Sequence, residues 1–184
     1  FYTEHFGLNL GDYAGIRVLD IGCGPRGSLD WARDAAERVG LDPLADDYRK
    51  LRPEGYQMEM IASGSESIPF ADGHFDIVAS FNSLDHVDDL DETVAEIKRV
   101  ARPGGLFLLL TDVNHKATEC EPIEFGWEIA LVFTDSFEIL EERRFEKSDP
   151  GMYQSIRSDV SYDMDDPAER YGIISVKFRK AAVA

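Results

Sequence analysis

The chain reads as an α/β domain built on a doubly wound, mostly parallel sheet with helices on both faces. Three observations carry this reading. Short, continuous apolar runs of strand length alternate with segments of helical period, as they do when parallel strands are buried on both faces. The first run ends in a carboxylate and a glycine-rich turn, Asp20-Ile21-Gly22-Cys23-Gly24-Pro25-Arg26-Gly27. Polar residues follow the ends of later runs, Asp42 after the second and Asn82 after the fourth, where ligand crevices form in open α/β sheets.

Residues 1–15 carry Phe1, Tyr2, Phe6 and Leu8 and predict a lead-in that packs on the sheet, with a lid over a site as the alternative. Ile16–Ile21 is the first strand. Leu29, Ala32, Ala36 and Val39 then recur at helical spacing, with Ser28 placed to cap a helix. Arg38–Leu41 reads as a second strand ending in Asp42, and Pro43 opens a helix over 44–51. Tyr56–Ile61 predicts a third strand, 64–73 a loop, and His74–Phe81 a fourth strand. A helix is signalled from Asp88 to Ala101 by acids at its start, an apolar stripe and bases at its end. Pro103-Gly104-Gly105 stops it ahead of a fifth strand, Leu106–Val113. Beyond lie a helix over Glu124–Phe133, strands over Phe137–Phe145 and Tyr171–Arg179, and between these strands a loop, Glu146–Arg170, broken by Pro150, Gly151 and Pro167.

At 184 residues the length suits one domain. With 36 Asp and Glu against 19 Lys and Arg, the net charge of -17 repels phosphate backbones and anionic lipids. Nucleic acid and membrane are therefore not the expected partners. Cys23 and Cys120 have neither metal-site nor disulfide spacing, so no metal is expected and a reducing cytoplasm is the expected compartment. No stretch approaches the roughly 20 apolar residues of a membrane span.

The glycine turn lets backbone approach a ligand closely. N–H groups at the start of the helix expected after it favour an anion, and Asp20 beside them favours a cation. A ligand end bearing both an α-carboxylate and an α-ammonium, such as the methionine end of S-adenosylmethionine, fits this pairing. Gly22, Gly24 and Gly27 also satisfy the spacing of a dinucleotide turn. Asp42, about 20 residues after Gly22, is placed to accept both ribose hydroxyls, and Asp ahead of Pro is equally an N-cap pair.

Four stretches in order complete a pattern: Val18–Gly24, the acid Asp42, Ile68–Val78 with its Pro69-Phe70-Ala71-Asp72-Gly73, and Arg102-Pro103-Gly104-Gly105. Together they resemble the class I S-adenosylmethionine-dependent methyltransferases, in particular the small-molecule group that includes the ubiquinone and menaquinone C-methyltransferases. The resemblance implies one domain over 1–184: a lead-in or lid over 1–15, a cofactor-binding core over 16–113, and a substrate side over 114–184. It also implies a Rossmann-like sheet of seven strands ending in an antiparallel hairpin. Carried over by residue, it puts Asp20, Gly22, Cys23, Gly24, Pro25 and Gly27 around the methionine part of S-adenosylmethionine and Asp42 with Pro43 at the ribose. Gly64, Ser65 and Glu66 would flank the adenine, and Asn82, Ser83 and Leu84 would lie near the sulfonium. Two positions depart from the family pattern: Arg26 replaces the usual third glycine, and Gly64 stands where an acid often meets the adenine amino group.

Methyl transfer from a sulfonium is an in-line displacement that depends mainly on alignment and exclusion of water. A base matters only for acceptors that must lose a proton. Candidates are Asp85, His86, Asp112 and His115; of these, His115 is the catalytic candidate and His86 reads as structural. Glu119, Glu121 and Glu124 are candidates for an acceptor pocket, and Phe125, Trp127 and Tyr153 for an aromatic wall. The expected partner is a small-molecule acceptor. The rivals are a non-catalytic S-adenosylmethionine-binding regulator or subunit, and an NAD-dependent oxidoreductase, disfavoured because Asp20 would face the pyrophosphate.

Overall fold

In the computed structural model, which describes residues 1–148 and 151–182, seven strands form one sheet. They are Arg17–Ile21 (β1), Glu37–Leu41 (β2), Glu59–Ile61 (β3), Phe75–Phe81 (β4), Ala101–Val113 (β5), Phe137–Glu146 (β6) and Gly172–Lys180 (β7). Their spatial order is β3-β2-β1-β4-β5-β7-β6. β1 to β5 are mutually parallel, and β7 runs antiparallel between β5 and β6. Pro150 lies outside the described residues.

Apolar side chains on alternate faces explain why these runs are buried strands. Leu19 and Ile21 of β1 join Phe107 and Leu109 of β5 on one face, under the helix Leu90–Val100 and the 3-10 turn Trp127–Phe133. Val18, Leu108 and Leu110 face the other way and pack with Phe6 and Tyr13 of the lead-in. The lead-in therefore packs on the sheet. Numbered in chain order, the helices are Ala45–Leu51 (α1), Leu90–Val100 (α2) and Met152–Ser158 (α3). Asp89 caps α2 by accepting from the Glu92 N–H at 2.9 Å.

Four expectations are corrected. No helix forms over 28–36. Ala36 donates its N–H to Ile16 and Val39 lies in β2, so half of the apparent stripe belongs to the strand and what remains is too short to nucleate a helix. Leu29 and Ala32 are buried by successive turns instead. Asp30 holds those turns: its carboxylate accepts from Gln57 N–H at 2.7 Å, Met58 N–H at 3.1 Å and the Arg52 guanidinium at 2.8 Å. Ser28 caps nothing there and donates to Asp20. The second correction lies at 124–133, where the helix shrinks to a 3-10 turn. Third, the loop at 146–170 contains α3. Last, β5 begins before the Pro-Gly-Gly turn, which bulges out between the Phe75–Ala101 and Ile77–Leu106 pairs.

Because Asp30 replaces a helix as the organiser of the β1–β2 connection, Asp30→Ala should lower stability by about 2 kcal/mol, the scale of charged hydrogen bonds lost from a partly buried site. Urea unfolding checks this, and an unchanged midpoint would mean that apolar packing alone holds the connection.

Candidate functional site

The site forms where the chain leaves β1 for one side of the sheet and β4 lies on the other, the topological switch point. Gly22 has φ +68°, and a Cβ there would collide with Ser83. The Ser83 hydroxyl donates to the Ile21 carbonyl at 2.9 Å and lies 2.7 Å from the Ser80 hydroxyl. Asn82, at φ +56°, turns the chain in a conformation that Asn tolerates well. The two strand ends are thereby clamped together, and a cleft of about 600 Å³ opens beside them.

Among the described residues, the cleft is lined by Ile21, Gly22 and Gly24 from the turn, by Leu41 to Leu44 with Tyr48, by Ser63 to Glu66, and by Asn82, Ser83 and His86 to Asp88. Its size suits a nucleoside-sized ligand. Asp42 is 8% exposed and its two oxygens accept from Gly24 N–H at 3.1 Å and Leu44 N–H at 2.9 Å. It is thus both a turn cap and a carboxylate on the cleft wall. Tyr48 faces it; partial burial and the Asp42 charge hold the Tyr48 phenol above its ordinary value. Ser65 is pinned to Thr93 at 2.8 Å. Glu66 accepts from Asp88 N–H at 2.9 Å, which ties the 63–66 loop to the approach to α2. A Cβ on Gly64 would collide with the second oxygen of Glu66, so that carboxylate fills the space beside the glycine.

Nine of the residues carried over by resemblance line this cleft: Gly22, Gly24, Asp42, Pro43, Gly64, Ser65, Glu66, Asn82 and Ser83. Five do not. Cys23 points behind the turn, 3.9 Å from the Met60 sulfur. Pro25 is exposed, and Gly27 is buried against Asp30 and Arg52. Leu84 is wholly in the core. Asp20 shares the Val18 face of β1, opposite Gly40 and Ala79 on the neighbouring strands. There its carboxylate accepts from the hydroxyls of Tyr2, at 2.8 Å, and Ser28. The first three N–H groups of the turn are already engaged within the chain. Gly22 and Cys23 donate to the Leu41 carbonyl and Gly24 to Asp42, and no helix follows to add its dipole.

The acceptor-side candidates also separate. His115 is 7% exposed, with Nε2 3.4 Å from an Asp85 oxygen and Nδ1 3.2 Å from the Lys116 carbonyl. His115 is buried against Asp85 and does not line the cleft. The histidine that does is His86, whose Nε2 lies 3.6 Å from the other Asp85 oxygen. Asp85 itself is 1% exposed, and burial pushes its carboxyl above the ordinary carboxylate range against the pull of the two imidazoles. Asp112 pairs with Lys147. Glu119 and Glu124 are exposed, Glu124 accepting from Ala117 N–H, while Glu121 comes within 4.8 Å of Asp85 and His86. Phe125 and Trp127 pack on the α2 face and Tyr153 against Phe1, so they form no common wall. Sequence reasoning missed Tyr48, Ser63 and Val87 as lining residues. Only Ser63, two residues after β3, had a position that could have signalled it; Tyr48 lies within α1 and Val87 beyond the 3-10 turn after β4.

Burial drives the Asp20 carboxyl up to about 7, opposed by its two hydroxyl donors. The native state therefore holds a proton that the unfolded chain releases near pH 4, and the penalty of ionising Asp20 grows as pH rises from about 4 to 7. Asp20→Asn should gain stability relative to the parent across that window and hold the gain above it. Thermal melts at pH 5 and 8 check this; a difference that shrinks with pH would contradict it.

Residues 19–109 match the family model described as a methyltransferase domain. The chain is 35% identical over 96 residues to a malonyl-acyl-carrier-protein O-methyltransferase of Enterobacter lignolyticus, covering 52% of this chain and 38% of that one. It spans well under two thirds of the curated relatives it matches. Among solved structures, an S-adenosylmethionine-dependent methyltransferase from Mesorhizobium loti superposes with a TM-score of 0.66 at 18% identity, covering 91% of this chain and 92% of that one. The 4+2 cyclase SpnF superposes at 0.68 with 21% identity, covering 95% and 79%. These two likenesses concern the fold. No helix among the described residues is long and apolar enough to cross a membrane. Over residues 19–109 the chain is thus similar in sequence to S-adenosylmethionine-dependent methyltransferases, and the rest of the chain shares their fold.

Proposed function

We propose that this chain binds S-adenosylmethionine in the cleft between the β1 and β4 ends and transfers its methyl group to a small-molecule acceptor. The observation that carries the reading is the cleft itself: it is lined by the Gly22 backbone, which admits no side chain, and by the carboxylate of Asp42, which we assign to the ribose. Ile21, Leu41, Leu44 and Val87 offer apolar wall, and Glu66 is the carboxylate available for an adenine amino group beside Gly64. When bound, the cofactor supplies an electrophilic methyl group on a sulfonium, already a good leaving group. The residues of this chain then act by alignment. Gly22 and Ser83 fix the two strand ends, Asp42 orients the ribose, and the packed lead-in excludes water from the Asp20 side. Such positioning supplies a large share of a barrier reduction of roughly 7–11 kcal/mol without proton transfer.

An NAD-dependent activity is disfavoured further by the missing helix, since a pyrophosphate depends on a helix N-terminus after the glycine turn. We read the chain as a single domain with its acceptor side over 114–184, acting in the cytoplasm. The charge of -17 argues against a nucleic-acid substrate.

Calorimetric titration with S-adenosylmethionine, S-adenosylhomocysteine and NAD tests the reading. Both sulfur compounds should bind with Kd on the order of micromolar and NAD should not. Asp42→Ala should weaken binding by roughly 10- to 100-fold, the scale of hydrogen bonds to a charged group. A folded chain that takes up neither sulfur compound would overturn the proposal. Methyl transfer from labelled cofactor to a candidate acceptor separates an enzyme from a non-catalytic binder.

A further inference from the structure

Beside the cleft, the 3-10 turn Leu84–His86 carries Asp85 and His86 toward Glu121 of the loop after β5. One ligand atom from each lies within 4.8 Å of the others. Acids and histidines cluster on many surfaces, but Asp85 is 1% exposed and neither of its oxygens has a hydrogen-bond donor. A buried carboxylate without donors is costly unless a cation sits against it. His115 is also buried, and its Nε2 lacks a hydrogen bond while facing the second Asp85 oxygen at 3.4 Å. The imidazole of His86 lies 3.6 Å from the first oxygen.

We propose that Asp85, His86 and Glu121 form a divalent transition-metal site at the edge of the cleft, with His115 behind Asp85 fixing the orientation of its carboxylate. Metal–ligand bonds of about 2.0–2.2 Å place ligand atoms roughly 3 to 4.4 Å apart, so the three groups need only a small contraction. A donor set of imidazole with carboxylates suits Mn²⁺, Fe²⁺ or Zn²⁺ better than Ca²⁺ or Mg²⁺. Three protein ligands leave open positions, and His86 lines the cleft. Resting on the methyltransferase reading above, those positions would take an oxygen donor of the acceptor, which makes a hydroxylated or carboxylated small molecule the substrate class.

The test is Mn²⁺ alone, titrated into metal-free protein and read by loss of the aquo-ion resonance signal. One saturable site per chain is expected, weakened at least 100-fold in Asp85→Asn and at least tenfold in His86→Gln, and unchanged in Glu119→Gln, an exposed acid outside the cluster. Absence of a saturable site overturns the proposal, as does equal affinity in Asp85→Asn. Should Asp85→Asn fail to fold by circular dichroism, the half-exposed His86→Gln decides alone: unchanged Mn²⁺ affinity there overturns the site. S-adenosylhomocysteine is titrated into the same metal-free sample. Nucleoside binding without Mn²⁺ binding removes only the metal site, and Mn²⁺ binding without nucleoside binding removes only the methyltransferase reading.

Discussion

The contact between Gly22 and Ser83 is the constraint on which the rest of the site depends. A side chain at Gly22 would collide with Ser83, so the β1 and β4 ends can pair as closely as they do only around a glycine with positive φ. The Ser83 hydroxyl then ties itself to the β1 carbonyl at Ile21, which fixes how the chain leaves β4. From that exit follow Asn82 in its left-handed turn, the buried Leu84, and the placement of Asp85 and His86. On the other side, Gly22 and Cys23 both donate to Leu41, which sets the end of β2 and with it Asp42. The cleft walls on both sides thus descend from one backbone contact.

Four carboxylates stand along the carboxyl edge of the parallel strands, and each is accommodated differently. Asp20 is held by two hydroxyls at the cost of a carboxyl raised to about 7. Asp42 accepts two backbone N–H groups. Asp112 has Lys147, and Asp85 has the imidazoles of His86 and His115 with Glu121 close by. In a chain with a net charge of -17, this edge attracts cations and repels phosphates. A sulfonium or a metal ion suits it and a dinucleotide does not.

The parallel half of the fold was legible because its strands are buried on both faces and so appear as unbroken apolar runs, as in Leu106–Leu110. The antiparallel end came from resemblance, since the alternation in β7 marks a strand but not its neighbours. What was not legible was the β1–β2 connection. The helical spacing of Leu29, Ala32, Ala36 and Val39 is real, but it counts residues that pair with the sheet, and period alone cannot tell where a strand begins. Asp30, which organises the connection, shows nothing in sequence to link it with Gln57 and Met58. In the site, the turn and loop residues at strand ends were placed near a ligand crevice by topology. Cys23, Leu84 and His115 were not excluded, because sequence gives a residue's position along the chain but not the side to which it points. The departure at Gly64 shows the same limit: the carboxylate beside it comes from Glu66, two residues away.

The fold by itself does not assign the chemistry, since a cyclase superposes on this chain about as well as a methyltransferase does. The local departures are more informative. Removing the helix after the glycine turn takes away the dipole that would hold a pyrophosphate, and the N–H groups of Gly22, Cys23 and Gly24 are spent on Leu41 and Asp42. Recognition then falls to carboxylates and to the close backbone at Gly22, which favour a ligand that carries hydroxyls and positive charge and lacks phosphate. S-adenosylmethionine carries a ribose, a sulfonium and an ammonium and lacks phosphate, although its α-carboxylate is left without the helix dipole expected after the turn. A chain that kept this fold but bound a dinucleotide would need to restore the helix; this one has instead committed Asp30, Arg52 and Met58 to doing without it.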